Sequence, residues 1–203
     1  MAVTLAVSVF QVNELPEAID ARLKVLPSGL KDHIERSREV SQELAIRHNV
    51  DARLADMGTA AHDLARSLGH DKLLTEAERL GLALGLVEER EPILLHGPIA
   101  ARWLYDDSGE VDEVVLESVA WHTTGRPGMG EVAKVVFLAD KLDPRKVERF
   151  PYLKKVLAES KHSLDLAILE YLNHTIEYFM RNGNLIHPAS IDLRNQLLIS
   201  TGA

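Results

Sequence analysis

Apolar residues recur with a helical period over almost the whole chain after residue 15. That repeat predicts helices at about 16–25, 30–48, 51–68, 72–86, 93–107, 111–122, 130–143, 150–158, 163–181 and 188–199. The punctuation agrees: Gly29, Gly69, Gly109, Gly125 and Gly183 stand at or after expected C-termini, and Pro92, Pro127, Pro151 and Pro188 at breaks or starts. The segment from Asp51 to Leu68 stands out for its small residues, Ala52, Ala55, Gly58, Thr59, Ala60, Ala61 and Ala65. So little side-chain bulk lets neighbours approach from several sides, which places this helix at the centre. No internal repeat, low-complexity tract or linker divides the pattern. The expected architecture is all-α, a single-domain helical bundle over residues 29–199, preceded by an N-terminal arm of residues 1–28 with no assigned role.

The apolar opening Met1–Phe10 is too short for a membrane span of about 20 residues. No Lys or Arg precedes it and Glu14 and Glu17 follow, so it reads as a short strand or buried arm rather than a signal. The length, 203 residues, suits one compact domain. Asp and Glu outnumber Lys and Arg by 31 to 23, a formal charge of −8. That balance argues against nucleic acid held on a general basic surface. An anionic substrate would need metal ions or a few local cations. The absence of Cys removes disulfides and thiolate ligands and fits a reducing cytoplasm.

The nine histidines keep uneven company. His48, His70, His162, His174 and His187 read as surface or capping residues, His174 with Glu170 and Glu177 one turn away and His187 with no carboxylate near it in sequence. The remaining four, His33, His62, His96 and His122, form an ordered set with Asp63 and Asp140 at intervals of 29, 1, 33, 26 and 18 residues. The set is spread across the predicted helices, with only His62 and Asp63 adjacent. Four imidazoles and two carboxylates converging in a helical bundle make a two-metal site. In the adjacent pair His62-Asp63, neighbouring helical side chains diverge by about 100°. The aspartate can then share one ion with the histidine and offer its second oxygen to another.

That ordered set resembles the HD-domain phosphohydrolase superfamily, and its surroundings resemble the YqeK-type branch, the bacterial symmetrical diadenosine tetraphosphatases. The matching stretches are His33-Ile-Glu-Arg36, Ala61-His62-Asp63-Leu-Ala-Arg66, Leu94-Leu-His96-Gly-Pro98, Trp121-His122-Thr-Thr-Gly-Arg-Pro-Gly-Met129, Phe137-Leu-Ala-Asp140-Lys141-Leu-Asp-Pro144-Arg145 and the tail Gly183-Asn-Leu-Ile-His187-Pro188. The resemblance covers about residues 30–195. It implies an all-α bundle with a binuclear metal centre and cleavage of diadenosine tetraphosphate, a dinucleoside polyphosphate, into two ADP. Carried over by position, His33, His62, Asp63 and Asp140 hold one metal, and His96 and His122 complete a second with Asp63 bridging. Iron is the metal the resemblance implies. Manganese, cobalt and nickel are alternatives that suit the same donors.

Two such ions roughly 3.5–4 Å apart can lower the pKa of a bridging water enough to supply hydroxide at neutral pH. Asp63 and Arg66 are the expected catalytic residues. Arg66 follows His62 and Asp63 by four and three residues and stands where the superfamily often has Lys. A permanently charged guanidinium acts there as a phosphate clamp rather than a proton donor. Arg36, Thr123, Thr124, Arg126, Lys141 and Arg145 are the expected substrate-binding residues. Trp103, Tyr105 and Trp121 read as core aromatics rather than a base-stacking slot. A homodimer through apolar positions on the C-terminal helices is compatible with the pattern. Two other readings remain at this stage: an HD hydrolase of another nucleotide or phosphate ester, and a non-catalytic nucleotide-binding regulator.

Overall fold

The computed structural model describes residues 15–108 and 111–202, so the segment Met1–Phe10 and Gly109 lie outside the described residues. The described chain is helical throughout: α1 (Glu17–Lys24), α2 (Ser28–His48), α3 (Ala52–Ala61), α4 (His70–Arg79), α5 (Leu86–Arg90), α6 (His96–Ser108), α7 (Glu113–Trp121), α8 (Glu131–Lys141), α9 (Pro144–Arg149), α10 (Leu153–Ser160), α11 (Leu164–Asn182) and α12 (Pro188–Thr201). A 3₁₀ turn, Pro92–Leu95, leads into α6. None of these helices is long and apolar enough to cross a membrane.

Helix starts are written in the sequence. Asp51, Asp112, Asp143 and Ser163 each accept hydrogen bonds from free backbone N–H groups at the first turns of α3, α7, α9 and α11. α2 stops at Asn49 and α11 at Gly183, both in the left-handed region, with φ of 56° and 67°.

α3 lies between two apolar cores. Ala55 joins the core built from α2, α8, α10, α11 and α12, which contains Phe137, Leu138, Ile168 and Leu193. Met57, Ala60 and Ala61 join the core built with α1, α4, α6 and α7, which contains Ile19, Leu73, Ile99 and Leu104. Every residue from Ala55 to Ala61 is buried. At Gly58 a Cβ would stand 2.2 Å from Ser118 Oγ and 3.0 Å from Val136 Cγ2, so only glycine allows α7 and α8 this close. The central position expected from the small residues is therefore met by direct contact on opposite flanks. α1 packs on α3 and α6, with Ile19 fully buried.

Three predicted helices are divided or shortened. The one over 51–68 ends at Ala61 and continues as tight turns through residue 67. The one over 72–86 breaks at Gly81, where φ is 67°, and α5 follows separately. The one over 150–158 starts only at Leu153, as α10, and an unexpected short helix, α9, precedes it, because Asp143 caps a new helix with Pro144 at its first position. Gly69 caps the start of α4 instead of ending a helix, and Tyr105 is 58% exposed rather than core.

The buried Arg38 guanidinium makes two hydrogen bonds, of 2.8 and 2.9 Å, to the Asp56 carboxylate and so ties α2 to α3. Removing one partner of a buried pair strands the other charge. Arg38→Ala should lower unfolding free energy by about 3 kcal/mol, read from urea denaturation. An unchanged midpoint would show that the pair contributes nothing to the docking of these helices.

Candidate metal centre

The six expected ligands come from five elements and meet at one point. His33 lies inside α2 and Asp140 near the end of α8. His62 and Asp63 sit in the turns directly after α3, His122 follows α7, and His96 opens α6 after the 3₁₀ turn. Placement near helix ends gives three rings the same support. Nδ1–H of His62 donates to the Thr59 carbonyl at 2.6 Å, that of His122 to the Val119 carbonyl at 2.8 Å, and that of His96 to the Ile93 carbonyl. A carbonyl only accepts, so each bond places the proton on Nδ1 and leaves an Nε2 lone pair facing inward. His33 is oriented by a carboxylate instead, with Nδ1 2.7 Å from Asp143 Oδ2.

The Nε2 atoms gather around the two aspartates. Asp63 Oδ1 lies 3.1 Å from His96 Nε2 and 3.7 Å from His122 Nε2, while its Oδ2 lies 3.4 Å from His62 Nε2 and 3.8 Å from His33 Nε2. Asp140 Oδ1 lies 3.2 Å from His33 Nε2 and 3.9 Å from His62 Nε2. One carboxylate thus turns its two oxygens to two different imidazole pairs, and Asp140 adds to one of them. Three overlapping groups have all their donor atoms within 4.8 Å of one another: His33, His62 and Asp63; His62, His122 and Asp140; and Asp63, His96 and His122.

The donor chemistry fits metal. His62 Nε2 is buried without a hydrogen-bond partner. His96 and His122 point their Nε2 atoms at each other across 2.9 Å, although both rings carry their proton on Nδ1. Two facing lone pairs repel unless a cation joins them. Burial works against a charged Asp63, but positive charge at the His62 and His96 imidazoles facing its oxygens outweighs it and holds its carboxyl well below the usual range. Burial is likewise outweighed at Asp140 by the Lys141 and Lys146 ammonium groups. Burial, with His96 and His62 close by, pushes His122 well below its usual value and keeps it a neutral donor.

A cavity of about 490 Å³ opens over this cluster, and Arg66, Thr123, Lys141 and Lys146 share its wall. The Arg66 side chain is exposed and has no hydrogen-bond or ion-pair partner among the described residues. Lys141 Nζ is 2.9 Å from Asp140 Oδ2 and also donates to the His122 carbonyl. Thr124 lines a neighbouring cavity. Arg36, Arg126 and Arg145 are absent from the residues lining either cavity. Arg36 spends its guanidinium on both oxygens of Asp143 at 2.8 Å, Arg126 pairs with Glu117, and Arg145 is an exposed residue of α9.

The sequence reading missed Asp143 and Lys146. Asp143 stands three residues after Asp140, a spacing that could have marked it, and carries His33 and Arg36 together. Lys146 reaches Asp140 Oδ1 at 2.6 Å because the turn into α9 folds it back. Phe150, Tyr152 and Tyr171 also line the cavity. His48, His174 and His187 find partners outside their own sequence neighbourhood, His48 on the Ser160 carbonyl. His187 meets Glu88 at 2.9 Å, 99 residues away, and the His174 ring stacks on Tyr152 with centroids 3.7 Å apart rather than pairing with Glu170 or Glu177.

Gly97 explains the residue after His96. A Cβ there would stand 2.8 Å from the Val119 carbonyl oxygen, 2.9 Å from that of Ala120 and 3.2 Å from His122 Cε1. The bare backbone lets the start of α6 press on the end of α7, which brings His96 and His122 together.

The family profile of the HD domain matches residues 30–145. A protein of Halalkalibacterium halodurans named bis(5'-nucleosyl)-tetraphosphatase, symmetrical, is 33% identical over 162 residues, covering 79% of this chain and 84% of that one. A Bacillus subtilis protein of the same name is 27% identical over 156 residues, covering 77% and 82%. A crystal structure from Clostridium acetobutylicum, described as a predicted HD superfamily hydrolase involved in NAD metabolism, superposes with a TM-score of 0.83 at 27% identity, covering 90% of this chain and 96% of the other.

Outer partners of metal-binding histidines typically matter by 10–100-fold. Asp143→Ala should therefore weaken metal uptake by about tenfold or more, measured by titrating metal into apoprotein. Unaltered affinity would show that His33 needs no carboxylate behind it.

Proposed function

The chain belongs to the HD-domain family, and on that premise we propose that it hydrolyses diadenosine tetraphosphate symmetrically into two ADP with two metal ions. It is a metal-dependent phosphohydrolase. The observation that carries the reading is Asp63, whose two oxygens face separate imidazole pairs beside a cavity whose wall holds the unpaired guanidinium of Arg66. His33, His62, Asp63 and Asp140 hold one ion, and His96 and His122 with Asp63 hold the second. Iron is the proposed metal, with manganese, cobalt or nickel as substitutes, since imidazole and carboxylate suit all four. Ions bound there supply Lewis acidity at phosphorus and make water acidic enough to act as a nucleophile near neutral pH.

The side chains divide the remaining work. Arg66 binds phosphoryl oxygens, because it is the cavity guanidinium with no other described partner. Thr123 Oγ1, 3.0 Å from His122 Nε2, supplies a hydroxyl at the boundary between ligands and substrate. Lys141 and Lys146 keep Asp140 ionised and positioned, and add positive charge to a wall that meets a polyanion. Of the other expected contacts, Thr124 stays as a wall of the adjoining cavity. Arg36 acts through Asp143 on His33. For Arg126 and Arg145 a substrate contact would need their side chains to swing from where they lie.

Residues 29–199 form the hydrolase unit in this reading, with α1 docked against it. The protein acts in the cytoplasm, a setting supported by the absence of Cys. Tyr178, Met180 and Ile191, exposed on α11 and α12, support a homodimer.

Incubation with diadenosine tetraphosphate and ferrous iron or manganese should give ADP as the sole nucleotide product on ion exchange. AMP with ATP, or no product under any metal, would sink the assignment. Asp63→Ala should abolish turnover and lower bound metal, and a variant with wild-type rate and metal content would show the site is misplaced. Arg66→Ala should raise KM or lower kcat about tenfold or more with metal content intact, the loss expected of one charge-assisted contact. Unchanged kinetics would remove Arg66 from the substrate site.

A further inference from the structure

The tail Gly183–Pro188 has no part in the metal centre, yet its residues Asn184, Leu185, Ile186 and His187 line a second cavity. That cavity, about 320 Å³, is lined by Leu172, Ile176, Phe179, Leu185 and Ile186, with Glu91 and Asn184 among its polar groups. Thr123 and Tyr171 line both this cavity and the one over the metal ligands, so the two adjoin. The wall is pinned on its C-terminal side. His187 pairs with Glu88 at 2.9 Å, and Ser190 Oγ donates to the Thr124 carbonyl at 2.7 Å.

The two cavities differ in charge. The first carries Arg66, Lys141 and Lys146, whereas none of the described residues lining the second is Lys or Arg, and Glu91 gives it negative charge. A polyphosphate belongs in the first and is repelled by the second. An uncharged, planar, largely apolar group fits the second. The Asn184 side-chain amide has no partner among the described residues, and only its backbone N–H is used, on the Phe179 carbonyl. An amide offers a donor beside an acceptor, which matches the N7 and N6 edge of adenine, whereas guanine presents two acceptors there.

We propose that this cavity holds one nucleobase of the substrate while the phosphates cross to the metal centre, and that Asn184 reads adenine against guanine. The inference rests on the dinucleoside polyphosphate reading above and supplies a place for the base, which no aromatic cluster near the motifs announced. A molecule cut at its centre needs a base site displaced from the metals, and Thr123 marks the passage between the two.

The test is calorimetric titration of ADP, GDP and inorganic pyrophosphate into the manganese-loaded protein. The wild type should bind ADP about tenfold more tightly than GDP, the discrimination expected of one bidentate amide–adenine pair. Asn184→Ala should lose that preference with pyrophosphate affinity unchanged. Leu185→Trp, at a wall position already 47% exposed, should weaken ADP binding and leave pyrophosphate alone. Equal affinity for ADP and GDP in the wild type, or a preference that survives Asn184→Ala, would overturn the proposal. Turnover of diadenosine tetraphosphate, measured in parallel, separates the two ideas. Its absence with the ADP preference intact would sink the substrate reading and leave the base site standing.

Discussion

A buried carboxylate flanked by imidazoles on both oxygens is the constraint on which this structure turns. Asp63 is buried, and so are His62, His96 and His122 around it. Charge taken out of water must be answered locally, or the group gives up its charge. Here the answer is arranged in layers. The Nδ1 atoms of three histidines are committed to carbonyls three residues earlier, and His33 is committed to Asp143. The Nε2 lone pairs consequently converge on a space where only a cation satisfies them. The same logic reaches outward, since Asp143 holds Arg36 as well as His33, and Lys141 and Lys146 hold Asp140.

The bundle bends its packing to this requirement. Ligands on five elements can meet only if backbones approach closely, and two glycines stand at close approaches around the cluster. Gly58 admits α7 and α8 to the flanks of α3, and Gly97 admits the start of α6 to the end of α7. Helix ends add a second device. Beyond its last regular turn the chain can aim two neighbouring side chains at one centre, as it does with His62 and Asp63, while the last carbonyls remain close enough to accept from the imidazoles.

Charge is separated along the cleft as well. A chain of net charge −8 handles an anion by concentrating Arg66, Lys141 and Lys146 on one wall and keeping cations out of the adjoining apolar cavity. The polyanionic centre of a dinucleoside polyphosphate and its uncharged bases make opposite demands on a protein surface. Two adjoining cavities of opposite character meet both.

The sequence by itself determined the class of fold and which His and Asp side chains gather into one cluster. Helical periodicity is a local property, as are the caps at Asp51, Asp112 and Ser163, and an ordered series of His and Asp survives any error in helix boundaries. The small residues of α3 announced a central helix for the same local reason. Only the tertiary structure decided which positive charges are free. Arg36, Arg66 and Arg126 look alike in sequence, but Asp143, 107 residues from Arg36, occupies the first, Glu117 occupies the third, and no described residue occupies Arg66. Partners such as Glu88 for His187 and Tyr152 for His174 also lie beyond the reach of local spacing. Whether a charged side chain is spent or available depends on what packing brings to it from elsewhere, and local spacing carries no record of that.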